Sequence, residues 1–294
     1  MNSTNWWEIP THLSTQKNQL YIAGKNAFQL AHQYGTPLYV YNGGRIQENF
    51  QRLRNAFLSA GVKPRIHYAM KANSHLRILQ LLKKEGAWID TVSPHEVRLA
   101  LLAGFSKNKI VFTGTSVSNA DLDEVIALGV NMNVDSLSQL RRLHVRGYQK
   151  PVSLRWNSGI GAGFHEHVIT AGKFIKFGIP EKKIVEVVKQ AVEFGIPIHG
   201  LHQHIGSGWL AKDVHAFLNT VNKTLQVAQK VQTITGKKLE FIDFGGGPGI
   251  RYRKDQEAFP IAAYAKGIAT AVKKSGMNIQ FVIEPGRYLV GDAG

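Results

Sequence analysis

The 294-residue sequence contains no cysteine, which excludes disulfides, thiolate metal centres and a cysteine nucleophile within this chain. Acidic residues are scarce, 20 against 36 lysines and arginines, for a net charge of +16. A balance this basic points to nucleic acid, a membrane surface or small anions as partners. The basic residues are scattered, however, in pairs such as Arg141-Arg142, Lys182-Lys183, Lys237-Lys238 and Lys273-Lys274. These pairs fall in helix flanks and turns rather than in one block with interleaved aromatics. That pattern argues against nucleic acid and for a solvated surface that attracts anionic metabolites. Long apolar runs are missing too, and the opening MNSTNWWEIP has neither a basic n-region nor an apolar h-region. No signal peptide and no membrane partner are therefore expected, and the plain reading is a soluble, cytoplasmic protein.

The remaining composition is ordinary, 44% hydrophobic and 19% charged with 29 glycines, enough for one large domain or two small ones. Apolar, β-branched runs recur at 65–69, 87–91, 109–113, 130–134, 152–156, 198–204, 239–243 and 279–283. Between them, apolar spacings of three and four predict helices near 44–60, 75–85, 94–103, 118–128, 136–146, 181–194, 211–235 and 257–275. Caps are expected at Ser93 with Pro94 and Glu96, at Ser118 with Asp121, and at Asp135 before Ser136. Eight strands separated by helices predict parallel pairing with right-handed crossovers, and the count favours a closed (β/α)8 TIM-type barrel over an open doubly wound sheet. The barrel is assigned to 43–294. Residues 1–42 lie outside it, with a possible strand pair between Leu20-Tyr21-Ile22 and Leu38-Tyr39-Val40-Tyr41. Residues 157–180 are glycine-rich and aperiodic, as functional loops often are. The chain ends ten residues beyond Glu284, so a full closing helix is not expected and exposed apolar surface is.

Working residues of such a barrel collect at the C-terminal strand ends. Lys71, Asp90, Thr113, Asp135, Asn157, His204, Gly245 and Glu284 all fall there. Lys71 follows the apolar Ile66–Met70, so its stem should be partly buried and its amine partly desolvated, as an imine-forming nucleophile requires. Taken alone, it reads better as a lysine snorkelling from a strand end. Gly245, Gly246 and Gly247 can turn backbone N–H groups onto a phosphate, with Gly206 and Ser207 adding an amide and a hydroxyl. His204, with His202 on the same face by period-two alternation, offers a ring to stack on a flat ligand. Glu284 is followed by Pro285-Gly286, which turn the chain and present Arg287 to a phosphate or a substrate carboxylate. The His165-Glu166-His167 cluster lacks the spacing that sets two histidines on one helix face, so no metal is expected.

Together, Tyr68–Asn73, His202–Ser207, Asp243–Gly247 and Glu284–Arg287 resemble the fold-type III pyridoxal-phosphate-dependent decarboxylases, most closely the diaminopimelate branch. The resemblance runs from about residue 36 to 294. It implies pyridoxal 5'-phosphate linked to Lys71, stacked by His204 and held at its phosphate by Ser207, Gly245, Gly246, Gly247 and Arg287. It also implies Glu284 at the pyridine nitrogen and Asp90 near the lysine. The implied reaction removes the α-carboxylate of meso-diaminopimelate as CO2 and leaves L-lysine, in a protein that is a homodimer at full length. Members of the family continue into a β-domain that brings a cysteine–acid pair and a tyrosine to the site. The chain is therefore expected to be truncated before that domain, with residues 1–42 as its pairing partner and with impaired turnover. The family's Asn-Pro after strand five reads Asn157-Ser158, and its Gly-Gly after strand two reads Pro94-His95. Two other functions remain open: a cofactor-binding barrel without turnover, and a decarboxylase of ornithine, arginine or carboxynorspermidine. A racemase, which usually sets an arginine at the ring nitrogen, is disfavoured by Glu284. The stretches 161–165 and 173–178 look most like the diaminopimelate branch.

Overall fold

The computed structural model describes residues 7, 9, 11–161, 170–172 and 176–294. The chain opens with a three-stranded antiparallel sheet, β1 (Leu13–Gln16), β2 (Gln19–Ile22) and β3 (Lys25–Asn26), with β2 in the middle. Lys17 (φ 48°) and Asn18 (φ 60°) close β1 onto β2 as a two-residue turn, a left-handed backbone that matches the twist of the strands it joins. This corrects the expected pairing of 20–22 with 38–41. Both edges of β2 are occupied locally, residues 38–41 form no strand, and Tyr39 is 87% exposed. Helix α1 (Ala27–Tyr34) follows, capped by the Asn26 side chain, which accepts from the Phe28 and Gln29 amides.

From α2 (Gly43–Ser59) onward the chain alternates strand and helix. The elements are β4 (Arg65–Ala69), α3 (Leu76–Lys84), β5 (Trp88–Thr91), α4 (Pro94–Leu102), β6 (Ile110–Phe112), α5 (Asn119–Leu128), β7 (Asn131–Val134), α6 (Leu137–Val145) and β8 (Val152–Asn157). Then come the two-residue β9 (Ile179–Pro180), α7 (Ile184–Glu193), β10 (Ile198–His202), α8 (Val214–Thr235), β11 (Phe241–Asp243), α9 (Ile261–Lys274), β12 (Gln280–Ile283) and α10 (Arg287–Val290). β4, β5, β6, β7, β8, β10, β11 and β12 pair in parallel in that order, and β12 returns to β4. The expected eight-stranded barrel is closed, each strand lying within two residues of its predicted bounds. β9, a side branch on β8, was not anticipated.

Alternation along the strands divides the barrel cleanly. Ile66, Tyr68, Ile89, Phe112, Met132, Leu154, Trp156, Leu201, Ile242 and Ile283 turn outward into the layer shared with the helices and are buried there. Each large apolar side chain so buried stabilises the fold by roughly 1.5–3 kcal/mol before chain entropy is counted. The inward positions are largely polar yet also buried: His67, Asp90, Asn133, Ser153, Arg155, His202, Asp243 and Glu284. The caps form at Ser93 and Ser118 as expected. At α6 the capping residue is Ser136, whose hydroxyl accepts from the Gln139 amide, rather than Asp135.

The expected apolar gap at the C-terminal side does not occur. α2 lies against α3, α9 and α10 and buries Ile46, Phe50, Leu53 and Phe57 there. The Phe57 ring meets Tyr264 edge-on at 5.6 Å and Phe281 at 5.4 Å. Arg45 and Asn49 of α2 both reach Asp292, at 2.6 and 2.7 Å, which fixes the chain beyond α10. A helix that precedes the first barrel strand thus fills the place of one that would follow the last.

Candidate active site

The C-terminal barrel face is built by backbone hydrogen bonds that continue past the strands. The Gln203 amide donates to the Asp243 carbonyl at 3.0 Å, Phe244 to Val282 at 3.0 Å, Glu284 to Gly245 at 2.9 Å, and Ala69 to Pro285 at 3.2 Å. The glycine triplet is required by this close approach. A Cβ at Gly246 would overlap the Glu284 carbonyl oxygen, and one at Gly247 (φ 128°) would overlap the Trp209 indole. Trp209 is fully buried, stacks on Phe217 at 4.8 Å, and donates its Nε1–H to the Gly206 carbonyl at 3.1 Å. The loops after β10 and β11 are therefore fixed to each other and to the core.

These elements bound a cavity of about 420 Å³ lined by Lys71, His204, Ser207, Gly247, Tyr252, Glu284 and Arg287 among others. Lys71 Nζ lies 3.5 Å from Asp90 Oδ2; the lysine side chain is 48% exposed and Asp90 is buried. The Lys71 side chain is thus partly buried, as expected, in a short turn past β4 that opens on the cavity. Burial, reinforced by the charge of Glu284 and only partly offset by Lys71, pushes the Asp90 carboxyl up to about 7. His204 Nδ1 accepts the Gly246 N–H at 3.1 Å, which fixes both the ring and the glycine turn. Burial, with Lys71 and Arg155 nearby, holds His204 well below the ordinary imidazole range, so the ring is neutral.

Glu284 Oε2 faces His202 Nε2 at 3.1 Å, whereas its Oε1 is buried without a partner among the described residues. Burial opposes ionisation of Glu284, but His202 and the Lys71 charge outweigh it and keep the group a carboxylate. Arg287 Nε donates to Ser207 Oγ at 3.4 Å and its Nη1 to the Tyr252 hydroxyl at 2.5 Å, so the guanidinium is held at the rim. Among the described residues, the amides of Ser207 and Gly247 donate to no protein acceptor. The cavity thus combines an amine, a flat neutral ring, an unsatisfied buried carboxylate oxygen, and a cluster of free amides beside a hydroxyl and a guanidinium. That donor set fits a phosphorylated, nitrogen-containing aromatic aldehyde, and pyridoxal phosphate has each of those parts.

The nine residues that the family resemblance assigns to the cofactor gather at this mouth, with Gly245 and Gly246 in the turn behind the cavity wall and Asp90 beneath Lys71. Asp135 and Asn157 take structural partners instead, Asp135 accepting from Thr115 Oγ1 at 2.5 Å and Asn157 from the Gly159 and Gly172 amides. His165-Glu166-His167 and most of the stretches 161–165 and 173–178 lie outside the described residues. The sequence reading missed Arg155, Asp243 and Tyr252. Arg155 is a buried cation whose nearest charges are Glu284, Asp135 and Asp90. Its signal was present, since the polar Ser153, Arg155 and Asn157 alternate with Val152, Leu154 and Trp156 along β8. Asp243 Oδ1 accepts the Gly245 N–H at 2.8 Å, and burial with the charge of Glu284 raises its carboxyl well above the usual range. His67, Asp243 and Glu284 bring ligand-type atoms within 4.8 Å of one another.

Residues 43–291 match the pyridoxal-binding domain of the pyridoxal-dependent decarboxylases. The diaminopimelate decarboxylase of Methanothermobacter thermautotrophicus is 42% identical over 283 residues, covering 94% of this chain and 66% of that protein. That of Bacillus subtilis is 33% identical over 299 residues, covering 97% and 67%. Among solved structures, diaminopimelate decarboxylase from Helicobacter pylori complexed with L-lysine superposes with a TM-score of 0.82 at 32% identity, over 91% of this chain and 68% of that one. The M. jannaschii enzyme in co-complex with L-lysine gives 0.85 at 29%, over 96% and 68%. The chain spans about two thirds of the length of the curated relatives it matches. It belongs to the pyridoxal-dependent decarboxylases, and residues 43–291 are their pyridoxal-binding domain.

Proposed function

We propose that the cavity at the barrel mouth holds pyridoxal 5'-phosphate and serves the decarboxylation of meso-diaminopimelate to L-lysine and CO2. The observation that carries this is the convergence of Lys71, His204, Ser207, Glu284 and Arg287 on one cavity. The bound cofactor supplies an electron-accepting ring for the electron pair left when a carboxylate departs. Lys71 supplies the amine that engages the cofactor's aldehyde. Asp90 Oδ2, 3.5 Å away and with its carboxyl pushed up to about 7, can give a proton to that amine or take one from it near neutrality. Glu284 Oε1 keeps a proton on the ring nitrogen, which strengthens the ring as an electron acceptor. The neutral ring of His204, which lines the cavity, would offer the cofactor a flat face without adding charge. Ser207 and Gly247 give N–H groups to the phosphate, Gly245 and Gly246 shape the turn that offers them, and Arg287 neutralises the phosphate or pairs with a substrate carboxylate.

The relatives' names and the L-lysine in their structures support the substrate. A homodimeric, cytoplasmic enzyme, with residues 1–42 paired to a further β-domain, belongs to the same proposal. The test is CO2 release from carboxyl-labelled meso-diaminopimelate in the presence of pyridoxal phosphate, alongside ornithine, arginine and carboxynorspermidine. Release from meso-diaminopimelate alone is expected. Release only from another amino acid would move the substrate, and cofactor binding with no release from any would leave a binding barrel without turnover.

A further inference from the structure

We propose that His202 is a positioning residue: by occupying one oxygen of Glu284 it fixes the other as the acceptor for a ligand's ring N–H. The inference rests on the reading that the cavity takes pyridoxal phosphate.

His202 is the last residue of β10 and points into the barrel, with its side chain 1% exposed. Its Nε2 lies 3.1 Å from Glu284 Oε2. A carboxylate only accepts hydrogen bonds, so Nε2 must carry the hydrogen. Nδ1 is buried and meets no partner among the described residues. A proton there would be a buried donor with nothing to donate to, so the neutral Nε2–H form is the one this geometry satisfies. Burial agrees, holding the imidazole below its ordinary range.

The consequence falls on Glu284. Oε2 is taken and Oε1 is left buried, unpartnered and on a residue that lines the cavity. Asp243, whose carboxyl is raised partly by a hydrogen bond to Glu284, faces the same group, and Oε1 still has acceptor capacity for a ligand N–H. Without His202, Oε2 loses its nitrogen donor as well. Glu284 then has an alternative, because His67 and Asp243 bring ligand-type atoms to within 4.8 Å of it. Neither ring nitrogen of His67 has a hydrogen-bond partner among the described residues, Asp243 Oδ2 lying 3.8 Å from Nδ1, so a freed carboxylate could turn down the barrel axis to that imidazole and away from the cavity. His202 is thus the group that holds Glu284 up to the mouth. Its effect should be confined to ligands that carry an N–H where Glu284 ends.

That confinement makes the test specific. Dissociation constants are measured for pyridoxal phosphate and for its 1-deaza analogue, in which the ring nitrogen is replaced by C–H. The proteins are the wild-type chain, His202→Leu, His202→Asn and His202→Gln. Leucine cannot donate and asparagine is too short to reach Oε2, whereas the longer glutamine amide can. Wild type should prefer pyridoxal phosphate over the analogue by at least about tenfold, as a charge-assisted hydrogen bond implies. His202→Leu and His202→Asn should lose about tenfold in affinity for pyridoxal phosphate while analogue binding stays within about twofold, and His202→Gln should keep the wild-type ratio. Equal losses for both ligands would reduce His202 to a structural part and overturn the proposal, as would unchanged selectivity in His202→Leu and His202→Asn. If His202→Leu does not fold, His202→Asn decides the matter alone. Wild type that binds pyridoxal phosphate without preferring it would also overturn the proposal, while leaving the cofactor reading intact. Wild type that binds neither ligand would overturn the cofactor reading itself.

Discussion

Replacing Asp90 by asparagine should stabilise the ligand-free protein at neutral and alkaline pH and leave it nearly unchanged near pH 4. Asp90 is buried, its Oδ1 has no partner among the described residues, and Lys71, the cation 3.5 Å from its Oδ2, is half exposed. Burial and the charge of Glu284 raise the folded-state carboxyl from 3.8 to about 7. A carboxyl raised by folding binds its proton more tightly in the folded state. Its contribution therefore declines as pH climbs through the unfolded value near 3.8 and levels off above about 7. The gap, at roughly 1.4 kcal/mol per pH unit, sets a ceiling of about 4 kcal/mol on the cost of ionising Asp90. Asparagine has the same shape and stays neutral, so it removes this cost alone. Urea unfolding of both proteins at pH 4 to 8.5 gives the difference curve. It should be near zero at pH 4, rise through pH 5 to 7, and reach a plateau of a few kcal/mol, about 4 at most. A flat difference curve, or an Asp90→Asn protein that is less stable at pH 8, would refute the reasoning.

Three further outcomes are expected. Gly246→Ala sets a Cβ against the Glu284 carbonyl oxygen, so it should cost about 1–3 kcal/mol in urea unfolding and weaken pyridoxal phosphate binding as well. Tyr252→Phe removes the hydroxyl that holds Arg287, so titration should show pyridoxal phosphate binding weakened about three- to tenfold, with stability changed by less than about 0.5 kcal/mol. Ser136→Ala removes the α6 cap far from the cavity. It should cost about 1 kcal/mol of stability by thermal or urea unfolding and leave cofactor affinity unchanged.

The barrel was legible because each of its strands is a short apolar run of the kind Ile110–Phe112 shows, set between helices with readable caps at Ser93 and Ser118. The N-terminal sheet was not. The hairpin that decides it turns on Lys17-Asn18, and lysine at a left-handed position carries none of the Asn-Gly signature of such turns. The role of α2 was hidden because it depends on closure: only when β12 pairs with β4 does the preceding helix come to lie beside α9. Within the site, Lys71, His204, Glu284 and Arg287 stood out by residue type at strand ends. Arg155 and Asp243 did not, since each is a buried inward-facing residue of its strand whose meaning comes from which charges the closed barrel sets opposite it. Tyr252 lies in a loop with no periodicity to place it, and its link to Arg287 spans 35 residues.

Borohydride reduction of the chain with pyridoxal phosphate, followed by peptide mapping, tests most directly whether Lys71 is the cofactor's anchor. The predicted result is a pyridoxyl mass on the peptide that carries Lys71, near one per chain and absent from Lys71→Ala. Label spread evenly over surface lysines, and unchanged in Lys71→Ala, would contradict it.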